Sequence, residues 1–123
     1  MNDAYNANPD SLRAALEHLA ERGAGRRKIA IIGEMAELGA ESERYHRELG
    51  ALARALGIEV VGVGEPARAY GPSVWAATKE DVVEMAAELI RPGDAVLVKA
   101  SRAVGLEGIA DEIAKIARAW SPS

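Results

Sequence analysis

Asn2-Asp3-Ala4-Tyr5-Asn6-Ala7-Asn8-Pro9-Asp10-Ser11 gathers two carboxylates, a phenol and three amides into ten residues that read as a turn leading into a helix. Amides both donate and accept, Asp3 can accept from a sugar diol, and Tyr5 offers a flat ring with a hydroxyl. Such a set suits a nucleoside. A purely structural account covers part of it, because Asn8 suits an N-cap, Pro9 a first helical position and Asp10 the positive end of a helix dipole. Capping leaves Asp3, Tyr5 and Asn6 unexplained, so both readings stay open.

Further candidates follow apolar runs. Lys99-Ala100-Ser101-Arg102 sets an ammonium, a hydroxyl and a guanidinium directly after Ala95-Val96-Leu97-Val98. A carboxylate or phosphate would match them. The alternative is that Arg102 pairs with Glu34 or Glu107 while Lys99 only ends its strand. Gly33-Glu34-Met35-Ala36-Glu37-Leu38-Gly39 follows the run Ile29 to Ile32, and Gly64-Glu65 follows Ile58 to Val63. His18 and His46 belong to different predicted helices, so neither suggests a metal site. A lone His46 is more readily a hydrogen-bonded or exposed residue than a catalytic base. Gly62-Val63-Gly64 lacks the third glycine of a dinucleotide fingerprint, and no G-x-x-x-x-G-K-S/T loop occurs, so ATP hydrolysis by this chain alone is not expected.

The elements that must carry these residues alternate. Leu12, Ala15, Leu16 and Leu19 recur at helical spacing after Pro9, and Gly23 with Gly25 supplies the stop. Lys28 to Ile32 reads as a buried strand, since its apolar run does not alternate with polar residues. Tyr45, Leu49, Leu52, Ala53 and Leu56 mark a second helix, closed by Gly57, before the strand Ile58 to Val63. A weak strand is expected around Ser73 to Ala76, and Thr78 with Asp81 three residues on predicts the start of a third helix. Arg91-Pro92-Gly93-Asp94 turns into the strand from Ala95, and Leu106, Ile109, Ile113, Ile116 and Ala117 predict a last helix. Alternation of this kind predicts a three-layer α/β/α, Rossmann-like domain with a mostly parallel sheet and right-handed crossovers. In such sheets ligands bind beyond the carboxyl ends of the strands, where strand order reverses. The last strand should therefore lie beside the first complete one, bringing Glu34 near Lys99 or Arg102. A strand should also precede the first helix, yet only residues 1–5 remain to form it, so the leading strand is expected to be truncated.

With 123 residues the chain accommodates a single domain, and a core rich in aliphatic residues follows from the absence of Phe. A net charge of −4 with interspersed signs argues against a nucleic-acid partner. Arg26-Arg27-Lys28, the one basic cluster, reads as a solvated loop. Without cysteine there is no disulfide or thiolate chemistry, and no apolar run nears the roughly 20 residues of a bilayer span, so no membrane insertion is expected. A cytoplasmic protein is the default.

Taken together, Asp3 to Ser11, Gly33 to Gly39 with His46, and Lys99 to Arg102 with Leu106-Glu107 resemble, in order and spacing, the C-terminal domain of the Mur ligases. Within that family the likeness is to the branch that joins D-alanyl-D-alanine to UDP-N-acetylmuramoyl-tripeptide, and it covers nearly the whole chain. The resemblance implies a bacterial cytoplasmic, ATP- and Mg2+-dependent amide ligase of peptidoglycan precursor synthesis that works through an acyl phosphate. It implies that residues 1–123 are one domain, inactive alone, whose companion UDP-precursor domain and central ATPase domain are absent, the latter holding most of the Mg2+ contacts. It further implies Asp3, Tyr5, Asn6 and Asn8 on the nucleoside side of ATP, and Lys99, Ser101 and Arg102 toward the dipeptide or the developing charge. Glu34 and His46 match motif positions without an assigned role. Ala100 and Leu106 stand where the family often has glycine and methionine, both conservative changes. The family sheet carries one antiparallel strand near its start, so truncation there would leave an open edge. Two alternatives remain: another Mur or folylpolyglutamate synthetase-like ligase, and a stand-alone nucleotide-binding regulatory module.

Overall fold

A computed structural model of the protein describes residues 9–35 and 38–99. Chain order is α1 (Pro9–Arg22), β1 (Lys28–Gly33), a 3-10 turn (Gly39–Glu41), α2 (Ser42–Ala55), β2 (Ile58–Val63), a second 3-10 segment (Glu65–Tyr70), β3 (Val74–Ala76), α3 (Lys79–Leu89) and β4 (Ala95–Lys99). The predicted elements are present at nearly the predicted bounds. The expected leading strand and last helix, and with them the expected open edge, lie outside the described residues.

The four described strands are all parallel, in the order β3-β2-β1-β4. β1 pairs with β2 from Lys28 opposite Ile58 to Gly33 opposite Val63, and with β4 from Lys28 opposite Ala95 to Ile32 opposite Lys99. The chain thus moves outward from β1 to one side and returns to its other side through α3, so strand order reverses between β1 and β4. This is the neighbour relation expected from the sequence, and it puts Lys99 two register positions from Glu34.

The period-2 geometry of a strand sorts the apolar run of β1 between two cores. Ala30 and Ile32 join Leu12, Leu16 and Leu19 of α1 and Leu49 and Ala53 of α2 on one face, whereas Ile29 and Ile31 join Val82 and Ala86 of α3 on the other. Helices on both faces make the fold a three-layer α/β/α sandwich and explain why β1 shows no polar alternation. Each fully buried leucine contributes about 1.5–3 kcal/mol through removal of apolar surface from water. In β4, Ala95 to Val98 are only half-buried, as befits the outer position in the described sheet.

α1 runs against the strands. Its end packs so closely over the first residues of β1 and β4 that a Cβ on Gly23 would lie 2.8 Å from the Lys28 side chain and 3.0 Å from Ala95. Pro9 therefore starts α1 at the carboxyl edge of the sheet. α3 starts at a genuine cap, where Thr78 Oγ1 accepts from the Asp81 N–H at 3.2 Å.

The amino edge is closed by a polar clamp. Arg27 Nη2 lies 2.7 Å from Asp94 Oδ2, and the same guanidinium also donates to the Leu89 carbonyl. Asp94 in turn accepts the Arg91 N–H at 2.8 Å. Desolvation raises the Asp94 pKa, but the hydrogen bonds from Arg27 and Arg91 and the Arg27 charge outweigh it and hold the carboxyl below its ordinary value. The basic loop is exposed at Arg26 and Arg27, as expected, and Arg27 additionally pairs with Asp94, 67 residues away.

Candidate functional site

Four segments converge on the carboxyl edge: the start of α1 at Pro9, the turn Gly33-Glu34-Met35 after β1, Gly64-Glu65 after β2, and Lys99 closing β4. β1 and β4 flank the reversal point, so their ends form its centre.

Lys99 is 5 % exposed. Strand alternation puts it on the face of Ala95 and Leu97, which pack on the α1 and α2 core. An ammonium brought this far out of water is held by polar partners, and Lys99 has one within the chain. Its depth goes beyond the rim position that the sequence suggested. Ser101 and Arg102 follow it outside the described residues, as do Asp3, Tyr5, Asn6 and Asn8, which lead into Pro9 from the other side, and Ala36 and Glu37 of the β1 turn.

The β1 turn is fixed from beneath by two buried polar side chains. His46, fully buried on α2, accepts the Met35 N–H on Nε2 at 2.9 Å. Its other ring nitrogen, Nδ1, lies 2.6 Å from the Ser42 carbonyl, one helical turn back. A carbonyl can only accept, so Nδ1 carries the proton and Nε2 is left as the acceptor that Met35 requires. Tyr70, also fully buried, donates its hydroxyl to the Gly33 carbonyl at 2.9 Å. The two rings meet at 4.8 Å between centroids with a tilt of 54°. Burial first, and the neighbouring Glu34 carboxylate second, push the Tyr70 phenol far above its ordinary pKa, so it remains a donor.

α2 reaches Tyr70 only because residue 50 is glycine. A Cβ there would stand 1.9 Å from the Tyr70 carbonyl oxygen. Arg54, one turn further along α2, donates to the same oxygen at 3.0 Å and to the Gly71 carbonyl at 3.1 Å.

Beside this lies an open cleft of about 610 Å³ between the start of α2 and the segment after β2, lined by Ser42, Glu43, Arg47, Glu65, Pro66 and Arg68 among others. Arg68 pairs with Glu65 at 3.2 Å and lies 3.9 Å over the Trp75 ring, while Trp75 Nε1 donates to the Gly64 carbonyl at 2.7 Å. Sequence reasoning named Gly64-Glu65 but missed Arg47, Arg68, Trp75 and Tyr70. Nothing local distinguishes Tyr70, whose role arises from contacts with residues 33 and 46.

Among the described residues no group of three or more His, Asp or Glu side chains could hold a metal ion, and no helix is long and apolar enough to cross a membrane.

Comparison with known proteins agrees with this geometry. The family described as "Mur ligase, glutamate ligase domain" matches residues 1–102. The UDP-N-acetylmuramoyl-tripeptide--D-alanyl-D-alanine ligase of Mycobacterium leprae is 39% identical over 90% of this chain and 26% of its own length. The Escherichia coli enzyme of the same name is 37% identical over 89% of this chain and 25% of its own. Among solved structures, the MurF ligase from Thermotoga maritima in complex with ADP superposes with a TM-score of 0.78 at 30% identity, covering 97% of this chain and 28% of that one. MurF from Acinetobacter baumannii gives a TM-score of 0.77 at 30% identity over 91% of this chain and 26% of its own. The chain spans about a quarter of the length of these curated relatives. By its motifs, its fold and these matches, the chain belongs to the Mur ligase C-terminal domain family.

Proposed function

We propose that residues 1–123 form the C-terminal domain of a UDP-N-acetylmuramoyl-tripeptide:D-alanyl-D-alanine ligase, the reaction named for the relatives above. The observation that carries the reading is the buried Lys99 ammonium at the end of β4, beside the β1 turn at the reversal point. A fixed cation in a partly dry site suits a carboxylate or phosphate group, and stabilises negative charge more strongly than it would in water. Ser101 and Arg102, next in sequence, would add a hydroxyl and a planar fork for the dipeptide carboxylate or the developing charge. Asp3, Tyr5, Asn6 and Asn8, which lead into α1 at the same edge, would hold the adenine and ribose of ATP.

The full-length protein would pass through an acyl phosphate of the precursor carboxylate, attacked by the amine of D-alanyl-D-alanine, in the bacterial cytoplasm. ATP supplies the phosphoryl group that activates that carboxylate. By the family likeness, Mg2+ contacts are assigned mainly to a central ATPase domain. That domain and a UDP-precursor domain would complete the enzyme, and this domain alone would be inactive.

The test is ligase assay of the full-length protein with Lys99, Arg102, Asp3 or Asn6 replaced by alanine. K99A and R102A should lower kcat/KM for the dipeptide by about tenfold to a hundredfold, the range for losing a charge-assisted hydrogen bond. D3A and N6A should raise the KM for ATP. Wild-type kinetics in all four variants would refute the site.

A further inference from the structure

Glu34 is the half-buried residue between two backbone groups that are each held by a separate buried side chain. On one side Tyr70 grips the Gly33 carbonyl; on the other His46 grips the Met35 N–H, both at 2.9 Å. Backbone groups in an ordinary strand-to-helix turn are satisfied by the turn itself or by water. Here two buried polar side chains from different elements are spent on one three-residue turn, and their rings support each other at 4.8 Å. His46 is itself fixed by its 2.6 Å contact with Ser42. Such a double anchor fixes the direction in which the middle side chain leaves the backbone, as a binding site requires of its supporting residues.

The charge at that position is negative, at the carboxyl edge where the neighbouring strand ends in the Lys99 ammonium. A phosphate chain would be repelled by Glu34. An ammonium group would match the Glu34 carboxylate. Resting on the ligase reading above, we propose that Glu34 binds the ammonium of the incoming amino component and that His46 and Tyr70 are positioning residues for it.

The test uses the full-length protein with D-alanyl-D-alanine as the amino component, measuring kcat and the KM values for dipeptide and ATP separately. E34Q should raise the dipeptide KM by about tenfold, the loss of one charge-assisted contact, and leave the ATP KM within about twofold. Y70F, which keeps the ring and removes the hydroxyl, should move the dipeptide KM in the same direction. In an E34Q background it should add nothing, because residues that act through one another are non-additive. H46L should behave as Y70F does, with H46Q, which retains an acceptor, recovering most of the loss. An active wild type whose dipeptide KM is unchanged by E34Q would overturn this inference alone. So would Y70F and E34Q effects that simply add, or an E34Q defect confined to ATP. A wild type unable to ligate the dipeptide would overturn the ligase reading and this inference with it.

Discussion

Gly50→Ala sets two effects of opposite sign against each other on α2. By helix propensity alone, Ala in a helix interior is favoured over Gly by about 1 kcal/mol, which would stabilise the fold. Against this, the new Cβ would stand 1.9 Å from the Tyr70 carbonyl oxygen, 2.6 Å from its carbonyl carbon and 2.8 Å from its Cα. Comfortable separation is about 3.5–4.0 Å, so backbone must move by roughly 1.6–2.1 Å, and backbone cannot swing away as a flexible side chain can. Overpacking of this kind costs about 1–3 kcal/mol, occasionally more. Any retreat of Tyr70 also strains its hydroxyl bond to Gly33 and the Arg54 contact to its carbonyl, each worth about 1 kcal/mol. The net expectation is a destabilisation of about 2–4 kcal/mol, or about 8–16 °C in Tm at roughly 4 °C per kcal/mol for a chain of this size. Urea and thermal unfolding followed by circular dichroism would measure it, with the exposed neighbour Ala51→Gly as the control for propensity, expected to cost about 1 kcal/mol. A neutral or stabilising G50A would refute the close packing of α2 on Tyr70, and with it the account of how His46 and Tyr70 meet.

Two further outcomes concern stability. T78A should cost about 0.5–2 kcal/mol by removing the oxygen that accepts the Asp81 N–H, read from denaturant midpoints at unchanged slope. Because the Asp94 carboxyl is held below its ordinary value in the fold, its contribution is present above the unfolded pKa near 3.9 and is lost as pH falls through the folded value. Stability should therefore decline below about pH 4, and D94N should flatten that decline while lowering stability at pH 7; an acid limb identical in D94N and wild type would contradict the clamp.

Much of the fold was legible because local signals agreed with one another. The unbroken apolar run Ile29-Ala30-Ile31-Ile32 announced a strand covered on both faces, and the two cores confirm that each parity has its own helices. Thr78 with Asp81 announced a cap that is present. The neighbour relation of β1 and β4 was expected from the reversal of strand order in parallel sheets rather than from any residue in either strand. What could not be read is non-local. The pairing of the exposed Arg27 was not legible because its partner Asp94 comes from the turn before the last described strand. Nothing local marks Tyr70, because its hydroxyl partner lies 37 residues earlier. His46 was readable as a hydrogen-bonded or exposed residue, but not as a buried acceptor for one particular N–H.

The two edges of the sheet divide the polar chemistry between them. At the amino edge, Arg27 and Asp94 join elements that flank β1 and β4, and α1 is seated tightly at Gly23; these contacts fix the strands without touching the candidate site. At the carboxyl edge, the buried polar groups His46, Tyr70 and Lys99 gather within a few residues of the reversal point. Burying three such groups is unfavourable unless each finds a partner, and apolar residues of similar size would fill the same volume at lower desolvation cost. Their concentration where ligands of parallel sheets bind is in keeping with the proposed site. The same division predicts that damage at the two edges will separate: loss of the Arg27–Asp94 clamp should lower stability with kinetic constants retained, whereas Y70F should alter kinetic constants by more than its modest loss of stability would account for.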